Sequence, residues 1–145
     1  SLKLKAIYYN LNSPKTENFI NAFETGLRDF TVQEKNAIKL YFKKFKEQLT
    51  SETFSGKIKN YNVVATFANY AINELAHYLI NKHKADISII VNTQAKTVSF
   101  RRSKSCDADV SILAQKLCNG GGHAAAAGGK LTEQFATLTK QFTPC

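Results

Sequence analysis

From Tyr61 onward the apolar residues switch repeatedly between two periods, and this switching limits what the chain can fold into. Residues 61–67 (Y-N-V-V-A-T-F), 86–92 (D-I-S-I-I-V-N) and 97–102 (T-V-S-F-R-R) read as strands. Between the first two, Ile72, Leu75, Ala76, Leu79 and Ile80 line one face of a helix over 70–83, with Asn69 as its cap. The short link N-T-Q-A-K between the second and third suits a hairpin. Val110, Leu113, Ala114 and Leu117 mark a helix over 110–118 behind the capping residue Asp109. Thr132 caps a last helix that uses Phe135, Leu138 and Phe142. This β-α-β-β-α succession predicts an α/β (α+β) domain with a mixed β-sheet flanked by helices.

The first part of the chain has a different pattern. Residues 2–9 suit a strand, and 10–15, with Pro14, a loop. Phe19, Ile20, Phe23, Leu27 and Phe30 fall on one helical face. Thr31 is placed to cap a helix over 32–49, with Ile38, Phe42, Phe45 and Leu49 on one side and Lys35, Lys39, Lys43 and Lys46 on another. Such a lysine stripe can follow a phosphate backbone or simply form a solvated face. The polar stretch Thr50 to Gly56 is the best candidate for a boundary.

Composition narrows the class. The chain has 145 residues, 43% of them hydrophobic, which is enough for a core and argues against disorder. No apolar run approaches the roughly 18 residues of a membrane span, so no membrane partner is expected. The net charge of +9 favours anionic partners such as nucleic acid or nucleotides, and the excess is spread along the chain. The 3 cysteines, Cys106, Cys118 and Cys145, match no zinc spacing and read as reduced thiols of a cytoplasmic protein. The chain starts at Ser1 and contains no Met, so it reads as a processed chain or a piece of a longer one.

The chemistry concentrates in Leu117 to Gly129, L-C-N-G-G-G-H-A-A-A-A-G-G. Gly120, Gly121 and Gly122 exceed what a helix C-cap requires. Lacking Cβ atoms, they let backbone amides converge on an anion from close range. Ala124 to Ala127 has high helix propensity, and a short helix there would aim its positive end at the same place. His123 sits at the junction and can donate a hydrogen bond to a phosphate oxygen. The other account of the glycines is a tight turn that lets two elements pack closely. The strand 97–102 favours binding, because Ser99, Arg101 and Arg102 end it about 20 residues before the turn. Strand alternation puts Ser99 and Arg101 on one face and Arg102 on the other, which favours Arg101 as the binder.

The segment Val98 to Gly129 resembles the DHH-associated domain of DHH phosphoesterases. That family carries S-x-R-S on a strand, a short helix, then G-G-G-G-H-x-x-A-x-G. This chain has Ser99-Phe100-Arg101-Arg102-Ser103, then Asn119-Gly120-Gly121-Gly122-His123-Ala124-Ala125-Ala126-Ala127-Gly128. Asn119 replaces the first glycine, and Asn is the residue that best tolerates glycine-like angles. The extra Arg102 lets either arginine align with the motif.

The resemblance implies a substrate-binding domain over 58–145, with 1–57 as the end of a catalytic domain and a helical linker. It implies nanoRNase- or RecJ-like hydrolysis of short oligonucleotides or related nucleotides. Ser99, Arg101, Arg102, Gly120, Gly121, Gly122 and His123 would hold the phosphate. Two manganese ions would be held by a separate N-terminal DHH domain, the implied partner, and a homodimer is open. This chain has no D-H-H motif, and His77 and His83 fit structural or solvent-facing roles better than metal ligation, so no catalytic residue is expected in it. Two other classes remain in view. One is a non-catalytic nucleic-acid-binding module like the C-terminal domain of alanyl-tRNA synthetases, in which Arg rather than His typically follows the glycines. The other is an interdomain or oligomerisation domain whose glycines serve packing alone.

Overall fold

In the computed structural model, residues 30–49 and 52–145 are described. The chain divides into two compact units, Ser1–Glu47 and Gln48–Cys145. In the first, the described element is helix α1, Val32–Leu49. Its start is a reciprocal capping box: the Thr31 amide donates to Glu34 Oε1 (2.9 Å) and the Glu34 amide donates to Thr31 Oγ1 (3.2 Å). Tyr41, 1% exposed, is the most buried residue of the helix, while Ile38, Phe42 and Phe45 are half-buried. The buried face is therefore centred beside the expected one. Lys35, Lys39 and Lys43 are exposed. The strand expected over 2–9, the helical face from Phe19 to Leu27, and the side chains of Lys46 and Leu49 lie outside the described residues.

The second unit is built on strands β1 (Thr53–Ile58), β2 (Tyr61–Phe67), β3 (Ile87–Asn92), β4 (Thr97–Arg102), β5 (Gly121–His123), β6 (Ala126–Lys130) and β7 (Thr143–Pro144). They form one sheet in the order β5-β6-β4-β3-β2-β1-β7. Only β2 and β3 pair in parallel, and helix α2 (Ile72–His83) connects them. Helices α3 (Val110–Cys118) and α4 (Glu133–Thr139) complete the mixed α/β fold that the sequence predicts.

Strand alternation sorts the residues onto two faces. Ile87, Ile89, Val91, Val98 and Phe100 point into the main core with Val110, Ala114, Cys118 and Phe135 from α3 and α4. Phe100 and Phe135 meet edge to face at 6.2 Å. The opposite face carries Val64, Thr66, Ser88 and Ile90, and α2 packs over it with Leu75, Ala76, Leu79 and Ile80. Strand β3 is buried on both faces, which explains its nearly continuous apolar run.

Two caps form as expected. Asp109 Oδ1 accepts from the Ser111 amide at 3.0 Å. Thr132 Oγ1 accepts from the Phe135 amide at 3.2 Å and donates to the Leu117 carbonyl, tying α4 to α3.

Four details differ from the sequence reading. The polar stretch taken as a boundary runs into β1, because Thr53 and Phe54 pair antiparallel with β2. Asn69 does not cap α2. Its Nδ2 donates to Gln94 Oε1 (2.9 Å), bracing the β3–β4 turn, and the cap position is Ala71 in the left-handed conformation at φ 50°. Phe142 lies beyond α4 and covers Gly56, where an added Cβ would fall 2.3 Å from its ring. Ala124–Ala127 forms no helix. Ala124 and Ala125 turn the chain from β5 into β6, and cross-strand pairing outweighs the helix propensity of the alanines.

Candidate functional site

Helix α3 ends at Asn119, which takes the left-handed conformation (φ 50°) that a C-cap needs. The chain then turns at Gly120 and runs back as β5. Gly120 has to be glycine, since a Cβ there would lie 2.0 Å from the Gly128 carbonyl oxygen. Gly122 combines φ 148° with a 2.7 Å approach to Ala126. Packing therefore accounts for these two. Gly121 is different: a Cβ there would meet nothing within 4 Å.

The ladder β4–β6–β5 decides which side chains share a face. Arg101 pairs with Ala126, and Ala126 pairs with His123. One step along, Ser99 pairs with Gly128, and Gly128 pairs with Gly121. Period-two alternation puts Ser99, Arg101, Gly121 and His123 on one face, the α2 side of the sheet. Arg101 and His123 stand two strand spacings apart, roughly 10 Å between backbones. Ala126 stands between them in the register. His123 is exposed, and its imidazole has no hydrogen-bond partner among the described residues. β5 is an edge strand, so half of its amide groups face away from β6.

Arg101 is half-buried and held on several sides. Its Nε donates to Asn73 Oδ1 in the first turn of α2 (3.1 Å). Its Nη1 donates to the carbonyls of Phe100 (2.8 Å) and Ala127 (3.5 Å). Burial pushes the guanidinium below its ordinary value, yet arginine remains a cation at neutral pH. Asn73 escaped the sequence reading, since a polar residue in a first helical turn carries no local signal of a partner 28 positions away.

Arg102 points to the other face. Its Nη1 donates to the Ala108 carbonyl at 2.7 Å, and its amide donates to the Ala125 carbonyl at 3.2 Å. It clasps the segment leading into α3 and is not brought together with Arg101 and His123.

Two grooves among the described residues lie away from Arg101 and His123. An apolar groove of about 360 Å³ is lined by Phe54, Phe67, Phe135 and Phe142. A polar one of about 530 Å³ is lined by Lys57, His83, Lys84 and Gln141. Neither includes Arg101 or His123. Among the described residues, no three His, Cys, Asp or Glu side chains gather as a metal site, and no helix is long and apolar enough to cross a membrane.

The DHHA1 domain, a domain of DHH-family hydrolases, matches residues 58–143. No curated protein matches the chain. Among solved structures, a pGpG-specific phosphodiesterase from Vibrio cholerae aligns with a TM-score of 0.57 at 18% identity, over 97% of this chain and 52% of that one. An exopolyphosphatase-related protein from Bacteroides fragilis aligns at 0.51 and 15% identity, over 90% and 43%. An uncharacterized protein from Helicobacter pylori G27 aligns at 0.50 and 20% identity, over 96% and 43%. At these identities the likeness is one of fold, and this chain spans about half or less of each of those chains. With the domain match covering most of the chain, from the end of β1 through β7, the protein belongs to the DHHA1 domain family.

Proposed function

We propose that this chain is the substrate-binding part of a DHH phosphoesterase, and that its β4–β6–β5 face grips a terminal phosphate of a short oligonucleotide or related nucleotide. The observation that carries this reading is Gly121. Its neighbours Gly120 and Gly122 are glycine for packing, whereas Gly121 opens onto free space on the face of Arg101 and His123. A side chain there would stand between an anion and the strand. Arg101 supplies a fixed cation, His123 a donor from the far side of Ala126, and Ser99 a hydroxyl beside Gly128. Outward amides of β5 add donors without charge.

Binding and orienting the phosphate leaves bond cleavage to groups outside the described residues. On this reading a DHH domain carries two manganese ions that supply the activated water, and the protein works in the cytoplasm. The sequence division near residues 57 and 58 moves ahead of β1, since β1 pairs with β2 and β7 within the second unit, Gln48–Cys145. The named relatives support the chemistry, since both pGpG and polyphosphate present terminal phosphate.

Titration calorimetry of the chain with a 5′-phosphorylated dinucleotide and its unphosphorylated counterpart tests the reading. Weak binding of the phosphorylated probe, reduced in His123→Ala, is expected. Equal affinity for both probes, or an unaffected mutant, would overturn it. Tight, steeply salt-dependent binding of long RNA would favour a nucleic-acid-binding module like that of alanyl-tRNA synthetases.

A further inference from the structure

Arg101 is usually thought of as a planar fork, but its surroundings here leave little of the fork available. A guanidinium has five N–H groups. The Nε–H is taken by Asn73 Oδ1 at 3.1 Å, and Nη1 donates to the Phe100 carbonyl at 2.8 Å and to the Ala127 carbonyl at 3.5 Å. Nη2 has no partner among the described residues. The identity of the Asn73 atom is fixed by chemistry: a flipped amide would set its NH₂ donor against a donor on arginine.

The three contacts come from separate places. Phe100 is the neighbour of Arg101 on β4, Ala127 belongs to β6, and Asn73 belongs to α2. The backbone carbonyls cannot be exchanged by mutation or evolution, so Asn73 is the one adjustable part of the mount. It is exposed and contributes nothing to the core under α2, which consists of Leu75, Ala76, Leu79 and Ile80. Among the hydrogen bonds of the described residues, its side chain serves Arg101 alone.

We infer that Asn73 is the positioning residue of the phosphate grip: by occupying Nε it turns Arg101 into an end-on donor that meets the anion through Nη2. The inference rests on the phosphate reading of the site. It adds that the Nε–Nη2 edge, the usual bidentate face of arginine toward phosphate, is closed by the protein itself. Holding the guanidinium in place before the ligand arrives removes rotamer freedom that binding would otherwise have to freeze.

The test uses the full chain, a 5′-phosphorylated dinucleotide and its unphosphorylated counterpart. Asn73→Ala should weaken the phosphorylated probe roughly 5- to 10-fold, the scale of one hydrogen bond that orients a charged group. Its thermal midpoint should not fall, because alanine is the better helix former. In ¹⁵N-edited spectra the Arg101 Nε–H should be protected from exchange in the parent and should lose that protection in Asn73→Ala. On an Arg101→Ala background, Asn73→Ala should have no further effect on affinity.

An equal loss in both backgrounds, or an unchanged Nε–H signal, would overturn the positioning role. If Arg101→Ala weakens binding and Asn73→Ala does not, the positioning role falls and the phosphate reading stands. If Arg101→Ala leaves both probes unaffected, the phosphate reading falls and takes the positioning role with it.

Discussion

Arg101 and His123 flank one residue: both stand in register with Ala126, one from each neighbouring strand of β6. The cation and the imidazole are therefore separated by a methyl group and about two strand spacings. This relationship comes from pairing three strands, and no linear motif states it. It turns a glycine-rich turn and a distant strand end into one surface.

The floor of that surface is open to a direct test. Ala126→Leu adds three carbons between Arg101 and His123 on a face that is only half-buried. Binding of a 5′-phosphorylated dinucleotide should fall at least about tenfold, or ~1.4 kcal/mol. The thermal midpoint should hold, since the larger side chain extends into space above the sheet and not into the core. Calorimetry and a thermal melt on the same sample decide the matter, and undiminished affinity would rule out this floor as the contact surface.

The glycines should separate in a paired experiment. Gly120→Ala puts a methyl 2.0 Å from the Gly128 oxygen, a backbone atom that cannot swing aside. It should lose at least about 2 kcal/mol of stability in a denaturant titration. Gly121→Ala meets nothing within 4 Å, so stability should stay level or rise by up to about 1 kcal/mol as the unfolded chain loses freedom. Affinity for the phosphorylated probe should nonetheless drop in Gly121→Ala. A Gly121→Ala chain that is both stable and fully competent to bind would show that the turn serves packing alone.

The sequence made the fold of the second unit legible where periodicity was long. Strands β2, β3 and β4 and helices α2 and α3 sit close to their expected bounds, and the Asp109 and Thr132 caps form as expected. It was silent where pairing or packing decides. The Thr53–Ile58 stretch looks polar because only its last residue is buried, and β2 makes it a strand. Ala124–Ala127 looks helical because propensity is local, whereas the hairpin is held by β4 through β6. The shared face of Ser99 and Arg101 follows from alternation alone. The place of His123 beside them depends on register, and the hold of Asn73 on Arg101 depends on a helix packing across the sheet.

The cysteines should differ sharply in reactivity. Burial pushes the Cys118 thiol up to about 11, so almost no thiolate is present near neutral pH. Cys106 is buried as well, with Sγ accepting from the Ala108 amide at 3.4 Å, while Cys145 is exposed. A chromogenic disulfide reagent at about pH 8 should titrate one thiol quickly, and all three only in denaturant. Cys145→Ser should remove the fast phase. A fast phase that persists in that variant would mean that Cys106 or Cys118 is open to the reagent in the folded chain.

Acid should weaken the start of α3 through Asp109. The Ser111 hydroxyl and amide hold its carboxyl below the ordinary value of 3.8, with the Ile112 amide and Arg102 adding to the effect. The charged form is thus favoured by folding. Its contribution is fully present above the ordinary carboxylate range and disappears as pH falls through the lowered folded value. Asp109→Asn keeps a capping oxygen but cannot titrate. The parent should melt higher than Asp109→Asn at about pH 7, and the gap should close as pH falls through the lowered folded value, below which Asp109 is protonated in both the folded and the unfolded chain. Thermal melts of the two chains across that range provide the check. A gap that stays constant with pH would mean that the carboxylate charge contributes nothing at this cap.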